Sequence, residues 1–231
     1  MNQKLLATIK YLKTKKKILF LTTSNRWSGS KELPKSTQLA YLIAKHVKNV
    51  NVIEIPSLLI YNCEGNVSTK NGNTCGELNA MLNDKQKNPT GNHRCWASLN
   101  NPKDELWKVS KPLFESDCVV FFSSIRWGQT DAYYQKLIER LTWIENRHST
   151  LKQENIVKNI EAGLIFIGHN WNGGTVLKTQ MNVLSYYGFT VVKQLCWNWQ
   201  YTTPDDETQN SYVNASKKFS SEFLPKKPIK K

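Results

Sequence analysis

Five short apolar runs, each followed by a stretch with helical periodicity, constrain this chain more than any other feature. The runs span residues 17–23, 50–55, 118–122, 162–167 and 189–192. They are continuously apolar rather than alternating, as in Ile18-Leu19-Phe20-Leu21 and Val119-Val120-Phe121-Phe122. Strands of that kind are buried on both faces, which is the condition of parallel sheets. Amphipathic segments begin at Ser36 and cover 104–115, 132–146, 175–187 and, more weakly, 207–223. A strand and a helix alternating in this way predict an α/β fold, a parallel sheet with helices on both faces. Right-handed crossovers leave few topologies open.

Residues 3–14 read as a short basic amphipathic helix, with Leu5, Ile9 and Leu12 on one face and Lys4, Lys10 and Lys13 elsewhere. The expected organisation is this helix over 1–16, one domain over 17–223, and a disordered Lys/Pro tail over 224–231. Residues 57–102 interrupt the rhythm. They are rich in Asn, Gly, Lys and Thr, and a loop of that length inside a compact domain is usually functional.

The net charge of +14 invites a nucleic-acid reading, but its placement argues otherwise. Residues 1–17 hold six lysines and 226–231 four more, which leaves about +4 for the body. That is an ordinary surface charge for a domain. No specific nucleic-acid partner is expected. The five cysteines are odd in number, no signal peptide is legible, and no apolar run is long enough to span a bilayer. The expectation is a cytoplasmic protein with reduced thiols and no membrane span.

In open parallel sheets, ligands bind beyond the carboxyl ends of the strands, where the strand order reverses. After the first strand come Ser24-Asn25-Arg26 and then Ser36-Thr37-Gln38, with Ser36 in the position of a helix N-cap. Hydroxyls, a guanidinium and the free N–H groups of a helix start suit a phosphate. The loop has neither the glycines of a dinucleotide fingerprint nor the Gly-Lys-Ser/Thr of a P-loop, which steers the reading to a monophosphate such as FMN. A capped helix after a polar loop is the plainer alternative. After the third strand come Ser124-Ile125-Arg126-Trp127-Gly128-Gln129, where a flat ring could stack while backbone N–H groups approach its oxygens, or where a turn carries a half-buried Trp. After the fourth come His169-Asn170-Trp171 and Gly173, where glycine permits close backbone approach.

Together these loops resemble those of the flavodoxin-like NAD(P)H-dependent FMN reductases, a family related to the iron–sulfur flavoproteins. The resemblance rests on Ser24-Asn25-Arg26 with Ser36-Thr37, on Ser124-Ile125-Arg126-Trp127-Gly128 followed by Gln135-Lys136-Leu137-Ile138-Glu139-Arg140-Leu141, and on Gly173-Gly174 with Tyr187-Gly188-Phe189. It covers about residues 17–195. It implies a three-layer flavodoxin-like fold with a five-stranded parallel sheet in the order 2-1-3-4-5. It also implies FMN as cofactor, NAD(P)H as electron donor, a small acceptor such as a quinone, and a homo-oligomer, dimer or tetramer. The flavin carries the chemistry, and no side chain is needed as nucleophile or acid–base pair. An electron carrier or flavin-bound interaction protein without its own hydride donor is the alternative.

Two departures from the family stand out. Ser124 and Arg126 replace a Pro and a Tyr, making the surface more cationic, and residues 27–34 lengthen the first loop. The cysteine-rich stretch of the iron–sulfur branch is incomplete here, with only Cys63 and Cys75 in place, and a cluster needs about four thiolates. No resident metal is expected. The aromatic run Trp197-Asn198-Trp199-Gln200-Tyr201 reads either as shelter for a ring or as packing.

Overall fold

The computed structural model describes residues 2–168, 171–201 and 208–224. The sheet is built from β1 (Ile18–Thr22), β2 (Val50–Glu54), β3 (Cys118–Arg126), the two-residue β4 (Gln129–Thr130), β5 (Glu161–Gly168) and β6 (Thr190–Gln200). Its order is β2-β1-β3-β5-β6, all parallel, with β4 turned back antiparallel on β3. Counting the five main strands, this is the expected flavodoxin-like order.

Helices cover both faces because successive strand residues point to opposite sides. Ile18 and Phe20 face α1 (Gln3–Leu12), α2 (Lys35–Ala44) and α8 (Gln209–Phe223). Leu19 and Leu21 face the other layer, made of α4 (Trp107–Glu115), α5 (Ala132–Arg140), α6 (Thr142–Ser149) and α7 (Gly173–Tyr186). Helix α1 buries Leu5, Ile9 and Leu12 on the sheet's first face, and Trp197 Nε1 donates to its Thr8 hydroxyl at 2.9 Å. The short α3 is Trp96–Asn100.

Several boundaries differ from the sequence expectation. One helix over 132–146 is divided at Leu141, where the Thr142 hydroxyl donates back to the Glu139 carbonyl at 2.8 Å and competes with the helical ladder. β6 runs on to Gln200, eleven residues in all, with a register shift between Ala162 and Leu164 of β5. Gly163 is required there, because a Cβ would lie 2.4 Å from Leu195 Cβ. The shift sends Trp197 and Trp199 into the core beside Phe219 and Phe223. These two tryptophans are therefore packing, not shelter for a ring.

Residues 57–102 are held against α5 and α6. Cys75, Cys95 and Ala97 join the core there. Arg140 forms a fully buried ion pair with Asp104 at 2.8 Å and donates to the Tyr61 carbonyl and the Ser98 hydroxyl. Burial pushes the Cys75 thiol up to about 12. Among the described residues, no group of three His, Cys, Asp or Glu could hold a metal ion, and no helix is long and apolar enough to cross a membrane.

Candidate functional site

The strand order reverses between β1 and β3, and a cavity of about 210 Å³ opens at their carboxyl ends. Ser24, Asn25 and Arg26 from the first loop line it, with Pro34, Lys35 and Ser36 at the start of α2. Ser124, Ile125 and Arg126 of β3 close the second side, and Ile167 and Tyr201 the third.

Under this cavity lies a carboxylate that the sequence reading missed. Asp131 is 3% exposed. Its Oδ2 accepts from the hydroxyls of Thr23 (2.9 Å), Ser24 (3.2 Å) and Ser123 (2.9 Å) and from the backbone N–H of Ser124 (3.1 Å). Its Oδ1 accepts from the Tyr134 N–H at 2.9 Å and so caps α5. One side chain thus ties the loop after β1, the end of β3 and the start of α5 together. The local signal was an Asp one position before a helix, a strong N-cap residue.

Asp131 also sets the polarity of the wall above it. Ser36 donates to the Ser24 oxygen at 2.7 Å, and Ser24 donates on to Asp131. These protons point inward. The donors that line the cavity beside them are the cations Arg26, Lys35 and Arg126 and the Tyr201 phenol. Arg126 donates to the Ser24-side loop through the Asn25 carbonyl at 3.3 Å and to the Ser124 hydroxyl at 3.3 Å. Arg26 and Lys35 share the exposed Glu32 at 3.7 and 3.6 Å. Two guanidiniums and an ammonium therefore border a small cavity at a helix N-terminus, an arrangement suited to an anion. Burial raises the Tyr201 phenol above its usual range, so it stays a neutral donor.

Of the residues expected at the site, Ser24, Arg26, Ser36, Ser124, Ile125 and Arg126 are brought together. Ser36 is not the N-cap, since Pro34 holds that position and Ser36 sits buried in the first turn. Thr37 is buried beside it and does not line the cavity. Gln38 points the other way, donating to the Leu33 carbonyl at 2.7 Å and lining a separate groove with Tyr41.

Trp127 and Gly128 form the two-residue turn between β3 and β4, with φ of 50° and 67°. Both central residues at positive φ are what a tight hairpin of this hand requires. Trp127 is 90% exposed, so the turn displays its ring rather than burying it. Gly128 is covered by the Trp171 ring, which a Cβ would meet at 2.9 Å, and its carbonyl accepts from Asn172 at 2.8 Å. Gly173 lies against Asn198 and Gln200 of β6. Trp127, Gly128, Gln129, Trp171 and Gly173 thus belong to a turn and loop outside the cavity lining. His169 and Asn170 lie outside the described residues.

No protein-family model matches this chain, and no curated protein sequence does. Solved structures do. RosB, determined with a bound intermediate, 8-demethyl-8-formylriboflavin-5′-phosphate, is 16% identical, with 90% of this chain and 75% of that one aligned at a TM-score of 0.53. It has the same fold. A putative quinone reductase from Klebsiella pneumoniae is 13% identical over 89% of this chain and 83% of its own, at a TM-score of 0.49. An azoreductase from Bacillus anthracis is 12% identical over 90% and 98%, at 0.47. At 16% identity the likeness to RosB is one of fold alone.

Proposed function

We propose that this chain is an FMN-dependent oxidoreductase that passes electrons from NAD(P)H through bound FMN to a small acceptor such as a quinone. The observation that carries this reading is the cationic cavity at the β1/β3 switch point, bordered by Arg26, Lys35 and Arg126 and the first turn of α2. Its donors suit a terminal phosphate. Its volume of about 210 Å³ takes a phosphate and part of a sugar chain, below the roughly 300 Å³ at which whole-ligand pockets begin. The remainder of the cofactor is assigned to the open surface beside it, bounded by the Trp127–Gly128 turn, Trp171 and Gly173. That RosB, with this fold, was solved with a flavin 5′-phosphate supports the assignment.

In this reading Arg26, Lys35 and the free N–H groups of α2 hold the phosphate. Ser24 and Ser36, locked by Asp131, shape the wall and keep the loop in place. Arg126 and the N–H groups of Gly128 and Gln129 face the electron-rich edge of the ring, and His169 and Asn170 are the remaining residues assigned to the cofactor. Bound FMN supplies the hydride-accepting ring, and the protein supplies position and electrostatics. Ile125 and Ile167 keep water from the inner wall. Residues 17–223 act as one cofactor-binding domain, with 57–102 as an insertion. A cytoplasmic location and a homo-oligomer belong to the same reading.

The test is direct. The purified protein, or the apoprotein after addition of FMN, is expected to show a flavin spectrum that bleaches on anaerobic mixing with NADPH or NADH. A protein that takes up no FMN overturns the cofactor assignment. A flavin that binds but stays oxidised with both donors overturns the hydride step and leaves an electron carrier.

A further inference from the structure

Away from this cavity, two guanidiniums meet without a counter-charge. Arg94 comes from the 57–102 segment and Arg147 from the last turn of α6. Arg94 Nη1 and Arg147 Nε donate to one neutral atom, Gln153 Oε1, at 2.9 and 3.2 Å. Arg147 also donates through Nη1 to the carbonyl and side-chain oxygens of Asn92, at 3.1 and 3.3 Å. Among the described residues, neither arginine has a carboxylate within ion-pair distance.

The pair is not simply solvated. Arg147 is 7% exposed, and Arg94 Nε is buried without an acceptor. A buried charged donor left unpaired is costly, and such groups ordinarily have a partner. Elsewhere the fold gives a buried guanidinium a counter-charge: Arg140 is matched by Asp104 at 2.8 Å, although its Nε, like that of Arg94, has no acceptor. Burial and the charge of Arg94 push the Arg147 guanidinium down to about 10. The C-terminus of α6 offsets about half a charge, which does not neutralise two cations.

We propose that Arg94 and Arg147 form a second anion site, which takes a small oxyanion of the phosphate type. Gln153 accepts from Arg94 Nη1 and Arg147 Nε, and Asn92 from Arg147 Nη1, which holds the two forks in place. The Nη2 group of each arginine is left over, and these two groups are the donors for the anion. Guanidiniums fixed in this way present N–H groups in a set geometry, which suits an oxyanion better than flexible ammonium groups do. None of these residues lines the first cavity, and the inference does not depend on the flavin reading.

The experiment is calorimetric titration of the full-length protein with inorganic phosphate against chloride at matched ionic strength. Arg26→Gln, Lys35→Gln and Arg126→Gln are introduced together first, to remove the first cavity's three cations. Binding of phosphate is expected to persist in that triple variant. Adding Arg94→Gln is expected to weaken it about tenfold or more, as losing charge-assisted hydrogen bonds does. Arg94 is only partly buried, so this variant keeps the fold, checked by its unfolding transition. Arg94→Lys is expected to restore part of the affinity. No phosphate binding in the Arg26→Gln/Lys35→Gln/Arg126→Gln protein, or equal affinity after Arg94→Gln, overturns the proposal.

Discussion

Replacing Asp131 by Ala tests whether one buried carboxylate holds the candidate site together. The change removes the cap of α5, worth about 1 kcal/mol. It also removes the acceptor of five donors above it, the half-buried Ser124 hydroxyl at 3.4 Å among them. Two have fallback acceptors: Thr23 can turn to the Phe122 carbonyl and Ser123 to the Ser124 carbonyl, each at 3.4 Å. The Ser24 hydroxyl can reverse its bond with Ser36 at 2.7 Å and donate there, which leaves the Ser124 N–H unpaired, at a cost of roughly 1–3 kcal/mol. Relief from burying a charge offsets part of this. The expected loss is about 2–3 kcal/mol, a sizeable share of the roughly 5–15 kcal/mol that stabilises a domain. Urea denaturation should show a lower midpoint at an unchanged slope. Asp131→Asn keeps the cap but turns an amide N–H₂ toward donors, so it should fall between Ala and the native protein. A loss below about 1 kcal/mol in Asp131→Ala would refute the hub, because the cap alone would then account for it.

Other outcomes follow from the same structure. Arg26→Ala with Lys35→Ala should lower affinity for FMN while leaving that for riboflavin nearly unchanged, since the lost contacts are to phosphate; an equal loss for both flavins in fluorescence titrations would contradict the phosphate assignment. Trp127→Asn should stabilise the protein by about 1 kcal/mol in thermal unfolding, because Asn-Gly suits a turn with two positive φ angles and the exposed ring gives up little packing. His93 is buried, stacked on Trp143 and hydrogen-bonded through Nδ1 to Ser110 at 2.6 Å, and burial pushes it down to about 4. Its folded-state value lies below the unfolded value of about 6.5, so the unfolded chain binds the proton first as pH falls. Stability is therefore full above about pH 6.5 and drops toward pH 4, by up to roughly 3 kcal/mol. His93→Gln should flatten that part of the profile, measured as unfolding free energy against pH.

The sequence pattern was sufficient for the layers, and the family resemblance implied the strand order. Apolar runs such as Val119-Val120-Phe121-Phe122 are buried on both faces, and helices spaced between them leave few arrangements. It was also sufficient for half of the cavity, because ligand loops at strand ends are local features: Ser24 with Arg26 follows β1, and Ser124 with Arg126 ends β3. The tertiary structure decided the rest. Ser36 reads locally as a cap, yet its hydroxyl is spent on Ser24, twelve residues away. Gln38 stands two positions on and, at 100° per residue around a helix, faces another groove. Trp197 and Trp199 are turned into the core by a register shift that follows from the close approach of Gly163 to Leu195, which no local pattern records. Asp131 was legible only as a helix cap. Its second role depends on Thr23 and Ser24, more than a hundred residues earlier, being carried beside it by the β1–β3 pairing. Periodicity and capping act over a few residues and can be read from the chain. Hydrogen-bond partners and cation clusters are set by which strands become neighbours, and that is decided only when the sheet has formed.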